Sequence, residues 1–385
     1  MAGFSSNTTL FRVSIASYAF RRWPIGAAWH SDHVDHLADR AAAAEDAVIG
    51  RHVVRLWCLP GTALGRNDWP PTWQQRWHRH WNYWWQAHLL DALVDAQLRA
   101  PCQRRVKLIR RLATGIRLRN RLSWTNNYYD DMAWLGLTLH RAQDVIGLDA
   151  ADALTDLTEQ LRIAWTPDGG GGIWWRRGDG YKNAPANGPA AILHARTGDE
   201  ARATEIMTWL TDTLVDPATG LVFDGLRIDR DTGEVGELNK RIYTYCQGVY
   251  LGGCVELART DGRSVWRDRA ERTIDAIATK LAPGGVLRGH GGGDGGLFSG
   301  ICARYLALAA SELPSGTAAD TAREIVLTSA DACWRNAALA HGPLFGPDWA
   351  KQASAPAKGE QEPSRQLSVQ VGGWLVIEAA ATLGH

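Results

Sequence analysis

Apolar residues recur at helical spacing along most of the chain, and short polar or glycine-rich stretches interrupt them. Leu89, Leu90, Leu93, Val94 and Leu98 mark one face of a helix. The run MAWLGLTL at 132–139 is apolar nearly all round, which suits a helix buried on every side. The pattern predicts helices over 36–57, 73–99, 101–119, 130–146, 150–164, 185–197, 199–215, 242–259, 262–281, 297–311, 317–339 and 364–382. Strand signals are sparse. The best, LVFDGLRID at 221–229, predicts a small hairpin with the segment beyond the Asp231–Gly233 turn.

The helices fall into pairs, and polar-aromatic clusters precede the second member of each pair. These clusters are HRHWNYWW (78–85), TNNYYDD (125–131), YKNAPANG (181–188), KRIYTYCQG (240–248) and GGGDGGLFSG (291–300), roughly fifty to sixty residues apart. Such a period is one helical hairpin long and marks a repeated supersecondary unit. Closing about six hairpins into a ring gives an all-α fold, an (α/α)6 toroid with every cluster at one end of the inner helices. An open solenoid is the alternative, with the clusters lining a groove. Length and the lack of capping repeats favour closure. Residues 1–35 lack the pattern and read as an N-terminal extension, leaving 36–385 as one catalytic domain. The stretch 351–363 reads as an exposed loop.

Composition narrows the function by exclusion. Lys+Arg 42 against Asp+Glu 41 gives a formal charge of +1, which removes the electrostatic case for a nucleic-acid or anionic-membrane partner. No apolar run reaches the roughly eighteen residues a transmembrane helix needs. Arg12, Arg21 and Arg22 are badly placed for a secretory signal, so the expectation is a cytoplasmic protein. Cys58, Cys102, Cys246, Cys254, Cys302 and Cys333 form no CxxC pair and read as buried, reduced thiols in helices. Arginine outnumbers lysine 36 to 6, which points to a GC-rich, actinobacterium-like source. Tryptophan, at 19, outnumbers tyrosine and phenylalanine together, and indole packs a core or stacks on a sugar equally well.

Asp130 and Asp131 are the sharpest chemical feature. Acetal hydrolysis needs one group to protonate the leaving oxygen and a carboxylate to attack or to activate water. Neighbouring aspartates at a helix start can bring their carboxyls to about 5 Å, the separation of a retaining glycosidase. The helix N-terminus favours the anion, while a like charge keeps its partner protonated. Two first-turn acids that merely cap the helix fit the pattern equally well. A Mg²⁺-diphosphate site would want a further aspartate where Trp134 stands. Asn127 and Tyr128 stand beside the pair as sugar contacts. In GGGGIWWRRGDGYKNAPANG (169–188), Trp174 and Trp175 offer stacking faces, and Lys182, Asn183 and Asn187 offer hydroxyl partners. Tyr245 and Gln247, with Tyr243, form a third patch of the same kind. The GxGxxG at Gly291, Gly293 and Gly296 follows no strand, so it does not read as a dinucleotide site, and Asp294 there would bond a hydroxyl or cap a helix. His30, His33 and His36 lack the partners of a metal site, and no metal or cofactor is expected.

Taken together, these segments resemble glycoside hydrolase family 76, the endo-α-1,6-mannanases. The resemblance runs through 82–96, 126–142, 169–199, 243–257 and 294–307 in order, within 40–383. It implies an (α/α)6 toroid and a retaining mechanism, with Asp130 as nucleophile and Asp131 as acid/base. It also implies an α-1,6-mannan or mannooligosaccharide substrate, possible only if both acids are intact, as they are here. One departure is Cys246, where the family carries Asn before the Gln; a thiol is the weaker donor. With the inferred source, the mannan core of a cell-envelope lipoglycan is the expected polymer. A transglycosylase using the same intermediate and a non-catalytic mannan-binding protein are the rival readings. A sugar epimerase on a similar toroid would want paired histidines beyond His78 and His80.

Overall fold

The structure is a computed structural model that describes residues 31–261, 264–338, 342–354 and 363–384. Six inner helices form a closed ring: α3 (Tyr83–Arg99), α5 (Tyr129–Ile146), α7 (Ala184–Arg196), α9 (Thr244–Asp261), α11 (Gly295–Glu312) and α13 (Leu367–Leu383). Each packs on the next, and α13 packs back on α3. Six outer helices cover them: α1 (Ser31–His52), α4 (Gln103–Arg119), α6 (Ala151–Ala164), α8 (Glu200–Leu214), α10 (Ser264–Lys280) and α12 (Thr317–Arg335). The expected (α/α)6 toroid is borne out.

Burial follows the hydrophobic pattern. The inner helices are apolar on most faces; every described residue of α13 except Thr382 is buried. Outer α4 and α6 bury only one stripe each, such as Leu157, Leu161 and Ala164 of α6. Helices α11 and α13 approach until a Cβ on Gly372 would meet the Gly296 carbonyl oxygen at 2.0 Å, so glycine is required there.

Because inner and outer helices alternate in direction, all six inner N-termini lie at one end. At the other end an ion network spans three inner helices. Arg141 of α5 and Arg304 of α11 each pair with Asp91 and Asp95 of α3. Arg99 joins Glu378 of α13 to Glu45 of α1. Trp134 of α5 borders a cavity at each end and is the partition between them.

Two predicted helices differ from expectation. The one placed over 36–57 stops at His52, because the β-branched Val53 and Val54 (β1) pair antiparallel with Leu64–Gly65 (β2). Trp57 and Cys58 then turn left-handed, with φ of 49° and 63°. The helix placed over 73–99 is broken. Thr72 and Gln75 form a capping box for the single turn α2 (Trp73–Arg76), His78 turns left-handed at φ 52°, and α3 restarts at Tyr83. The expected hairpin forms from β4 (Phe223–Ile228) and β5 (Val235–Ile242), and β3 (Tyr181–Asn183) adds a third antiparallel strand that the sequence did not announce.

All six cysteines are free thiols, but Cys58 and Cys102 are exposed and lie outside the α-helices, in a left-handed turn and at the N-cap of α4. Of the three histidines set aside as a metal site, His30 lies outside the described residues, as does the rest of 1–30.

Candidate active site

The fourth residue of each inner helix organises this end of the ring. In α3, α7, α9 and α13 it is an amide: Gln86, Asn187, Gln247 and Gln370, all fully buried. Each amide bonds both backbone groups of one residue in an incoming loop. Gln247 accepts from Val222 N at 2.7 Å and donates to Val222 O at 2.9 Å. Asn187 does the same to Ile173, at 2.7 and 2.9 Å, and Gln86 to Gly65, at 2.8 and 3.0 Å. Gln370 repeats it on Phe345, at 3.2 and 2.9 Å. A buried backbone pair must find partners, and these amides supply them where strand pairing ends.

The two other inner helices carry Met132 and Phe298 at that position, and there the helix starts present carboxylates. Asp130 and Asp131 occupy the first turn of α5, and Asp294 stands at the N-cap position of α11 without a side-chain capping bond. Asp130 Oδ1 accepts from Asp131 N at 2.9 Å and Oδ2 from Trp175 Nε1 at 3.0 Å. Asp131 Oδ2 accepts from Asn126 Nδ2 at 2.6 Å. Asp294 Oδ1 accepts from the indoles of Trp84 and Trp85 at 3.2 and 2.9 Å.

Burial is the main influence on the pair and pushes the Asp130 carboxyl up to about 7, opposed by the N–H groups of Asp131 and Trp175. Asp131 is driven well above the usual carboxylate range by burial, then by the neighbouring charge of Asp130, with only Asn126 opposing. Two donors on one acid and one on the other therefore split the pair. Asp130 ionises first, and Asp131 keeps its proton.

Two cavities of about 560 Å³ each meet at this point and share Trp84, Asp130, Trp175 and Asp294. The first lies under the β-hairpin and is walled by Tyr181, Asp224, Asn239, Tyr243 and Tyr245. Tyr245 stacks on Phe298 with centroids 3.8 Å apart. Tyr181 donates to Asp224 at 2.6 Å and Asn239 donates to both, which fixes the hairpin's polar face. The second cavity runs past Trp81, Asn82, Asn120, Asn126 and Asp131.

The sequence-chosen residues divide between cleft and interior. Asp130, Trp175, Asn183 and Tyr245 line the first cavity; Asn127, Tyr128, Asp130 and Asp131 line the second. Trp174, Lys182 and Gln247 line neither, and the same is true of Asn187 and Cys246. Lys182 is fully buried, and its ammonium donates to the carbonyl oxygens of Thr166, Asp168 and Gly171 and to Thr166 Oγ1, all within 2.9 Å. It holds the glycine loop from behind, with the ring of Trp174 4.5 Å away. Adjacent Trp174 and Trp175 face opposite ways because both lie in extended backbone, where successive side chains alternate.

Sequence reasoning missed Trp84, Asp224, Asn239 and Phe298, and gave Asp294 only a hydroxyl contact or a cap. Trp84 and Trp85 were visible in the first aromatic cluster. Nothing in the hairpin's polar sequence distinguishes Asp224 from a solvated turn residue.

The profile of glycosyl hydrolase family 76 matches residues 59–378. The α-1,6-mannanase GH76A of Salegentibacter sp. HEL1_6 superposes with a TM-score of 0.79 at 30% identity, over 91% of this chain and 100% of that one. An inactive variant of it, with two consecutive aspartates changed to asparagine and α-1,6-mannotriose bound, superposes at 0.80 with 30% identity over the same shares. Mannan endo-1,6-alpha-mannosidase DFG5 of Candida albicans is 29% identical over 134 residues, 30% of this chain and 29% of that protein. The chain thus matches under a third of that curated relative's length.

Proposed function

We propose that this chain, which belongs to glycosyl hydrolase family 76, cuts α-1,6-linked mannan internally with retention of configuration. It is a glycoside hydrolase, and its fold relatives include mannanases that hold α-1,6-mannooligosaccharides. The observation that carries the finer reading is the meeting of two open cavities at one pair of acids. A chain-end enzyme needs a blind pocket beyond the scissile bond; an internal cutter needs room on both sides.

In this reading the Asp130 carboxylate attacks the anomeric carbon as the Asp131 carboxyl passes its proton to the departing glycosidic oxygen. The bond to that oxygen breaks as the glycosyl ester forms. Asp131, now charged, takes a proton from water, which displaces Asp130 and restores both groups. Trp175 steadies the nucleophile through its indole N–H, and Asn126 orients the acid. Trp84, Tyr245 and Trp175 supply aromatic walls on which pyranose faces stack. The mannan core of a cell-envelope lipoglycan is the polymer we favour, on composition alone. The actinobacterial source behind that choice gains nothing from the relatives named here, which come from Candida and Salegentibacter.

The test is reducing ends released from linear α-1,6-mannan, with Asp130→Asn and Asp131→Asn alongside. Release by the native chain and loss in both variants supports the reading; undiminished release in either variant removes the assignment. Products whose first-formed anomer is inverted would remove the retaining mechanism while leaving the substrate.

A further inference from the structure

We propose that the surface around the C-terminal end of α4, beside the second cavity, docks on a lipid bilayer carrying anionic headgroups. Three observations converge there. From 96 to 129 the chain holds no Asp or Glu, yet it holds nine Arg or Lys in a molecule of net charge +1. Arg99 and Arg105 point inward to Glu45 and Glu378. Arg104, Lys107 and Arg111 stand exposed from the first turn of α4 to its middle and Arg121 stands exposed just past its end, and among the described residues none of these forms an ion pair. Arg117 and Arg119 bond backbone carbonyls and lie over the Trp124 and Trp81 rings, and among the described residues neither pairs with a carboxylate.

Among the described residues, five of the nine large apolar side chains that stand exposed cluster on the same surface: Trp57 (41%), Leu59 (41%), Trp73 (60%), Trp77 (53%) and Leu122 (64%). Direct bonds tie the patch together. Trp57 Nε1 donates to Trp77 O at 3.0 Å, Arg119 Nε to His78 O at 3.0 Å, and the Arg79 guanidinium covers the Trp73 ring at 5.0 Å. Leu122 N bonds Arg117 O at 2.8 Å, and Ala63 N bonds Arg111 O at 2.9 Å.

Among the described residues, every non-glycine with positive φ is in this patch: Trp57, Cys58, His78, Arg121 and Leu122. Left-handed backbone is costly for bulky side chains and concentrates at functional surfaces. Here it turns Trp57 and Leu122 outward.

Tryptophan and leucine beside arginine are the composition of an interfacial membrane anchor, in which apolar groups enter the headgroup boundary and cations meet anionic lipid. Neutral mannan would use the indoles but has nothing for the arginine stripe. A second copy of the chain would bring the same positive charge against it. Asn120 lines the second cavity, and Arg119 covers the Trp81 ring at 5.1 Å, so a docked bilayer sits at that cavity's mouth. The docking itself does not depend on the mannan reading.

The full-length chain is floated with vesicles of mixed phosphatidylcholine and phosphatidylglycerol, and with phosphatidylcholine alone. Binding to the mixed vesicles only, released at high salt, is expected. The double change Arg117→Ala with Arg121→Ala should weaken partitioning about 25-fold, about fivefold for each cation, and Trp73→Ser with Leu122→Ser should weaken it at unchanged salt dependence. Both variants should cleave soluble mannan as the native chain does, which shows that they are folded. No vesicle binding, or binding equal on neutral vesicles, overturns the proposal. So does retention of mannan by Trp73 and Trp77 in place of lipid, or a dimer that the same changes dissolve.

Discussion

Four inner helices start with a buried amide and two with carboxylates open to a cleft, and the contrast separates what the ring spends on holding itself together from what it spends on chemistry. At Gln86, Asn187, Gln247 and Gln370 every polar atom that burial would penalise has a backbone partner. At Asp130 and Asp131 the carboxyls are underserved, with two donors on one and one on the other, and both are pushed toward the protonated form. The first arrangement stabilises the fold. The second destabilises it and in return yields an acid and a base in the same site.

The largest effect comes from removing that disparity at Asp131. The change Asp131→Asn should lower kcat on mannan about 10²- to 10⁴-fold, the usual contribution of a positioned general acid. It should at the same time raise the thermal unfolding midpoint at pH 8. The native carboxyl binds its proton more tightly than the unfolded one does, so between about pH 4 and its folded value stability falls as pH rises. An amide does not titrate and escapes that loss. Native protein and variant should converge below about pH 4, where both states are protonated. A variant less stable than the native chain at pH 8 would show that Asp131 is not strained by burial.

Next in size is the loss of a clamp. Gln247→Leu leaves the N–H and C=O of Val222 unpaired in a dry site, at about 1–3 kcal/mol for each group. Chemical denaturation should show a loss of a few kcal/mol, with KM for mannan unchanged in the folded fraction. If KM rises while stability holds, Gln247 touches sugar and the contrast between the two kinds of helix start collapses.

The same contrast explains what the chain made legible. Periodicity revealed the ring, since inner helices such as MAWLGLTL must be buried all round and outer ones only along a stripe. The adjacent acids stood out because acetal hydrolysis needs two carboxyl groups close together, although two capping acids would look the same. The clamps did not stand out as clamps. An amide beside tyrosines at a helix start is the signature of a sugar contact and of a loop fastener alike, so Asn187 and Gln247 were read as the former. Lys182 was misread for the same reason, because four oxygens from a glycine loop satisfy an ammonium as well as hydroxyls would. Asp224 and Asn239 were invisible, since a polar hairpin looks solvated until β3 pairs with it and turns one face over the cleft. The break at His78 was hidden because helix periodicity does not register a single left-handed residue.

The smallest change tests how the two acids are kept unequal. Among the described residues Trp175 gives Asp130 its only side-chain donor, at 3.0 Å, and its ring packs edge-on to Tyr128 at 5.4 Å. Trp175→Phe keeps an aromatic wall and removes the N–H. A hydrogen bond to a charged acceptor is worth about 1.5–3 kcal/mol, and about 1.4 kcal/mol corresponds to one pH unit. Losing it disfavours the Asp130 carboxylate, so the acid limb of the kcat/KM profile, set near 7 by Asp130, should move up by about one to two units. Activity should fall about ten- to a hundredfold below neutrality and recover at higher pH until Asp131 loses its proton. An equal loss at every pH would mean that the indole serves only as a stacking face, and that Asp131 N alone sets the nucleophile apart from the acid.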